Sequence, residues 1–121
     1  MLYENEIDDE DDDEDKVYIG DSIKNMFATL SKLEKLNSLI LENTSINDAC
    51  VEALAPSLVE MKVLEICDLH GNYIRDEDVK ILVSCLPKMT ALCTLDISNN
   101  DFSDESQMVL KEACQIYSIS I

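Results

Sequence analysis

The chain has 121 residues, with 26 acidic side chains against 9 basic ones and a formal net charge of −17. That length suits one domain, and the scarcity of basic groups to neutralise phosphates argues against direct nucleic-acid binding. No apolar run approaches the roughly 18 residues that mark a membrane span, so no membrane partner is expected.

Ten of the 26 carboxylates lie between Glu4 and Asp15, leaving 16 acids against 9 bases, a net of −7, for residues 16–121. A segment so charged repels itself and has little to bury, so residues 1–15 are expected to form a disordered acidic tail ahead of a domain spanning 16–121. The opening Met1-Leu2-Tyr3-Glu4-Asn5-Glu6 lacks the positive charge and apolar stretch of a secretory signal. The cysteines, 50, 67, 85, 93 and 114, are odd in number and contain no C-x-x-C pair. Both features point to free thiols in a reducing compartment, the cytoplasm or nucleus.

From residue 16 onward the chain repeats. A half-unit, 16–35, opens with a predicted helix over 21–34, capped at Asp21-Ser22 and carrying Ile23, Met26 and Leu30 on one face. Leu36-x-x-Leu39-x-Leu41-x-x-Thr44-x-Ile46 then returns 28 residues later as Leu64-x-x-Cys67-x-Leu69-x-x-Asn72-x-Ile74. After another 28 it returns as Leu92-x-x-Leu95-x-Ile97-x-x-Asn100-x-Phe102. This divides the domain into repeats 36–63, 64–91 and 92–115 and a final strand over 116–121, where Ile116-x-x-Ile119-x-Ile121 opens the pattern once more.

Within a unit, Leu-x-Leu alternation marks a short strand with one buried face. The residues after it switch to helical spacing: Val51, Leu54 and Leu58 in the first unit, Val79, Leu82 and Leu86 in the second, Val109, Leu110 and Cys114 in the third. Asn47-Asp48, Asp76 and Ser103-Asp104 stand where N-caps belong. Pro56 lacks a backbone N–H inside the second helix and is expected to kink or split it. One strand and one helix cannot close a core alone, so the units must stack. Helices are wider than strands, so the stack curves with its strands inside. The expected fold is a short α/β solenoid, parallel strands on the concave face and helices on the convex face.

The repeated L-x-x-L-x-L-x-x-N-x-I/F, with a helix in each 28-residue unit, resembles leucine-rich repeats of the ribonuclease-inhibitor type, the class that includes the Ran GTPase-activating protein. The resemblance implies that the amides of Asn72 and Asn100 bond the backbone where each strand turns, while Thr44 offers only a hydroxyl. It also implies partner binding through the concave face. Those positions are Ser38, Ile40 and Glu42, then Ile66, Asp68 and His70, then Thr94, Asp96 and Ser98. A basic or mixed-charge protein partner is expected there. The last segment, through Tyr117, Ile119 and Ile121, is expected to form an open edge strand able to self-associate or join a larger assembly.

No catalytic, cofactor or metal site is expected. His70, the one histidine, shares a face with Asp68, but no nucleophile or further ligand joins them. Cys67, Cys85 and Cys114 occupy apolar pattern positions, leaving Cys50 and Cys93 as the exposed pair. The functional expectation is a non-enzymatic interaction or assembly module. An alternative is a regulator of a small GTPase or of a basic, histone-like nuclear protein. An acidic tail on such repeats is similar to that of the acidic leucine-rich nuclear phosphoproteins, and it would attract basic surfaces.

Overall fold

The computed structural model describes residues 25–27, 29–30 and 32–121. The acidic tail 1–15, the cap Asp21-Ser22 and Ile23 lie outside them. Residues 25–27 and 29–30 are helical. There follow β1 (Ser38–Ile40), α1 (Asp48–Leu58), β2 (Ile66–Asp68), α2 (Asp76–Cys85), a 3₁₀ turn at Leu86–Lys88, β3 (Thr94–Asp96) and α3 (Asp104–Ile116). The three strands form one parallel sheet in chain order. Ser38 pairs with Ile66 and Ile66 with Thr94, positions 28 apart. The period of the sequence is therefore the period of the mixed α/β structure. Its core lies between sheet and helices: Leu39, Cys67 and Leu95 point into it from the strands, and Val51, Leu54, Val79, Leu82 and Leu110 meet them from the helices.

Each strand is only three residues long because the chain must turn at once toward its helix. The turn needs a left-handed residue, and the position is filled at the same interval by Asn43 (φ 55°), Gly71 (φ 73°) and Asn99 (φ 55°). Glycine and asparagine enter that region most readily. The next residue in the second and third units is the pattern asparagine. Asn72 is buried. Its Oδ1 accepts from the Thr44 N–H (3.0 Å) and the Ile46 N–H (2.9 Å), and its Nδ2 donates to the Leu41 carbonyl (3.0 Å) and the Leu69 carbonyl (2.9 Å). Asn100 accepts from the Ile74 N–H (2.8 Å) and donates to the Leu69 carbonyl (3.1 Å) and the Ile97 carbonyl (2.9 Å). Each asparagine thus bonds its own turn and the preceding one. Thr44 uses its hydroxyl locally, donating to the Leu41 carbonyl (2.7 Å).

The helix starts are tied together as well. Asn47 caps α1 by accepting from the Cys50 N–H (3.2 Å), and Ser103 caps α3 by accepting from the Ser106 N–H (3.2 Å). At α2 the capping residue is Arg75, whose N–H donates to Asp78 Oδ2 (3.0 Å) and whose guanidinium pairs with Asp48 at the start of α1. Asp76 accepts from the Ser103 N–H (2.7 Å) and the Ser106 hydroxyl (2.8 Å), which hold its carboxyl below the usual range. Asp78 is 1% exposed. Burial first, and then its hydrogen bond with Asp48, push its carboxyl up to about 6.

Several expectations change. The segment 116–121 is not a strand: α3 runs through Ile116, Ser118 turns left-handed (φ 58°), and only Ser120 bridges Thr94. Ile119 is 6% exposed and belongs to the core, while Tyr117 and Ile121 are exposed. The Ile-x-x-Ile-x-Ile spacing imitates a strand because Ile116 closes a helix and Ile119 packs inward after the turn. Val109 is exposed, and the buried stripe of α3 is Leu110, Ala113 and Cys114. Near the N-terminus Phe27 takes the core place expected of Met26, which is exposed, and the Ser57 hydroxyl donates to the Phe27 carbonyl (2.9 Å). Cys50 is 4% exposed, because the first turn of α1 rolls it onto the core, so Cys93 is the one exposed thiol. Helix α1 is not split: Pro56 falls in its last turn, two residues before the end, where one missing N–H interrupts little.

These arrangements set three outcomes. Asn72→Ala strands buried backbone donors and acceptors in two turns and should cost about 3 kcal/mol, read from urea denaturation. Asp78 binds its proton more tightly folded than unfolded, so its contribution favours folding at low pH and is lost as pH rises from about 4 through about 6. Asp78→Asn imitates the protonated carboxyl, so its melting temperature should gain on the parent's across that window; parallel curves would contradict the assignment. Iodoacetamide on the native chain should label Cys93 alone by mass spectrometry, because the other four thiols are buried and burial pushes Cys67 up to about 12.

Candidate binding face

One face of the sheet packs on the core and the other is open. Strand alternation decides which side chains reach the open face. Since Leu39, Cys67 and Leu95 point inward, their neighbours point out. The first row across the strands is Ser38, Ile66 and Thr94, and the second is Ile40, Asp68 and Asp96. Glu42, His70 and Ser98 follow two residues further along each chain segment. Ile40 is 52% exposed and Ile66 39%. Glu42, Thr94 and Ser98 are also exposed, whereas Ser38, Asp68, His70 and Asp96 are half-buried.

The polar half of this face is ordered by its own hydrogen bonds. Asp68 Oδ1 accepts from the His70 N–H (3.0 Å), and Asp96 Oδ1 accepts from the Ser98 N–H (3.0 Å). The same hook, an aspartate side chain turned onto the amide two residues ahead, thus recurs in adjacent strands. Asp96 Oδ1 also accepts from the Ser98 hydroxyl (2.7 Å). The Ser98 hydroxyl, then its N–H, holds the Asp96 carboxyl below the usual range against the opposing effect of burial. His70 Nδ1 lies 2.9 Å from Ser98 Oγ. With the hydroxyl hydrogen donated to Asp96, the Ser98 oxygen is free to accept from an Nδ1–H of the ring.

Residue spacing alone brought His70 near Asp68; the structure adds Ser98 as its hydrogen-bond partner across the strands. The signal was the 28-residue offset between His70 and Ser98, which places them side by side in register. The arrangement is a relay from imidazole through hydroxyl to carboxylate. The Ser98 hydroxyl donates to the Asp96 carboxylate rather than to the ring. Among the described residues no group of three or more His, Cys, Asp or Glu side chains is disposed to hold a metal ion.

Charge is divided along the strand direction. Among the described residues, the turns after the strands and the first turns of the helices hold Glu42, Asp48, Asp76, Glu77, Asp78, Asp101, Asp104 and Glu105 against Arg75 alone. The turns leading from helices back to strands hold Lys32, Lys35, Lys62 and Lys88 with Glu34, Glu60 and Glu65. The acids at helix starts complement the positive ends of the helix dipoles. Among the described residues no helix is long and apolar enough to cross a membrane.

No protein-family model matches the chain, and no curated protein matches it. Among solved structures it is similar to one from Caenorhabditis elegans described as the tropomodulin C-terminal domain. The two share 18% identity and superpose with a TM-score of 0.67 over 83% of this chain and 60% of that one. This chain therefore spans about three fifths of the length of the structure it matches. The match overturns the assignment to ribonuclease-inhibitor-type repeats and to the Ran GTPase-activating class. The repeated pattern specifies a strand, an asparagine-bonded turn and a helix, but it does not specify which repeat class carries them. The likeness shows the fold: a mixed α/β structure shared with a tropomodulin C-terminal domain.

Proposed function

We propose that this chain is a non-enzymatic protein-binding module that works in a reducing compartment, the cytoplasm or nucleus, and uses the open face of its sheet as the contact surface. Stacked units, each backing a thin strand with a wider helix, give a short curved solenoid with that face on its inner side. The observation that carries the reading is the exposure of Ile40 and Ile66 on β1 and β2, beside the hydrogen-bonded Asp68 and Asp96. Neighbouring apolar side chains beside fixed polar groups are the composition of a protein-binding surface. The shared fold with a tropomodulin C-terminal domain supports the strand-and-helix arrangement that leaves this face open. A GTPase-regulating role rested on the overturned assignment and falls with it. All five cysteines are free, which suits a reducing compartment.

Photocrosslinking tests the face directly. A benzophenone amino acid replaces Ile40 or Ile66 in one pair of variants, and Glu52 or Lys80 on the helices in another. In an extract of the source cells, a discrete adduct is expected from the sheet positions and not from the helix positions. Adducts from the helix positions alone, or from neither pair, would refute the reading.

A further inference from the structure

The row Ile40–Asp68–Asp96 runs across three strands and changes character along its length, from an exposed aliphatic side chain to two carboxylates in register. Ile66 extends the aliphatic end diagonally. Adjacent strands are about 4.8 Å apart, so the row covers roughly 10 Å. Each aspartate has one oxygen engaged, Asp68 by the His70 N–H and Asp96 by the Ser98 N–H and hydroxyl. Among the described residues the second oxygen of each has no hydrogen-bond donor within the chain. The two carboxylates are therefore held facing out by a repeated turn rather than left to sweep through solvent.

Nothing on this face balances them. The nine outward positions hold Glu42, Asp68 and Asp96 and no lysine or arginine. The chain's single arginine, Arg75, is committed to Asp48 at the helix starts. A complementary partner must bring the cation itself. Two carboxylates one strand apart suit a planar guanidinium, whose several N–H groups can donate to both, better than a compact ammonium. An extended segment advances about 3.4 Å per residue, so an aliphatic side chain two positions from an arginine would lie roughly 7 Å from it. That separation lets the first rest on Ile40 and Ile66 while the second lies between Asp68 and Asp96.

We propose, resting on the module reading above, that the open sheet face recognises an extended segment of a partner protein. That segment carries an aliphatic residue two positions from an arginine, the arginine bridging Asp68 and Asp96 and the aliphatic side chain covering Ile40 and Ile66.

The test is an NMR titration of the full isotope-labelled chain with the peptide acetyl-Leu-Ser-Arg-Ser-amide. Its two controls replace the arginine by citrulline or the leucine by serine. The double variant Asp68→Asn/Asp96→Asn keeps an acceptor for the His70 and Ser98 amides and removes both charges, and its unchanged melting temperature certifies the fold. The parent peptide should shift the amides of Ile40, Asp68 and Asp96. Binding should fall about tenfold with citrulline and by at least as much in the double variant. Equal binding of the citrulline peptide, shifts confined to the helices, or no binding at millimolar concentration would overturn the proposal. The photocrosslinked adduct separates the two levels. A partner captured from Ile40 whose capture survives Asp68→Asn/Asp96→Asn overturns the arginine bridge alone, whereas loss of every sheet-face adduct overturns the module reading too.

Discussion

The carboxamide of Asn72 is the joint on which the structure depends. A strand of three residues has few ladder bonds, and the turn after it leaves several backbone groups without partners. One buried side chain with two donors and an acceptor closes its own turn and the preceding one, at 2.9–3.0 Å to Thr44, Ile46, Leu41 and Leu69. Asn100 repeats the arrangement one unit later. The sheet stays in register because these amides fix the interval between turns, and helices can leave at once because the turns are already satisfied.

The open face inherits its order from the same device. Since the turns are fixed, Asp68 and Asp96 fall at equivalent points of adjacent strands and fold back onto equivalent amides. The polar row is thus a by-product of the repeat, and its chemistry is what the individual residues add. Ile40 stands where an aspartate stands in each of the other two units. That single departure from the repeat turns a uniform acidic row into one with an apolar end.

The architecture was legible in the residues wherever burial imposes a period. Leu39, Cys67 and Leu95 announced the strands, and Val51, Leu54, Val79 and Leu82 the helices, because a side chain must return to the core at intervals set by backbone geometry. Positions where two geometries share one pattern were not legible. Ile116 and Ile119 carry strand spacing but belong to a helix end and the tuck that follows it. Cys50 and Phe27 lie one residue from the positions expected to face inward, a rotation of about 100° that the apolar pattern does not settle. The left-handed turn positions were present as Asn43, Gly71 and Asn99 at the 28-residue interval; an apolar pattern overlooks them because their signal is conformational. The repeat class could not be read at all, since the pattern residues encode the unit and not its lineage. For the open face, the columns were legible from alternation, whereas the hydrogen-bonded chain from His70 to Asp96 needed the register.

The separation of charge between the two rims has a consequence for encounter. Among the described residues, carboxylates gather where strands give way to helices and lysines return, beside three glutamates, on the opposite side, which gives this part of the domain an electric moment along its strands. Approaching a charged surface, it would be turned before it touched, with the acidic rim leading toward positive potential. A torque of this kind sets the orientation in which these residues approach such a surface. It would act over the Debye length, and added salt would abolish it before disturbing the core.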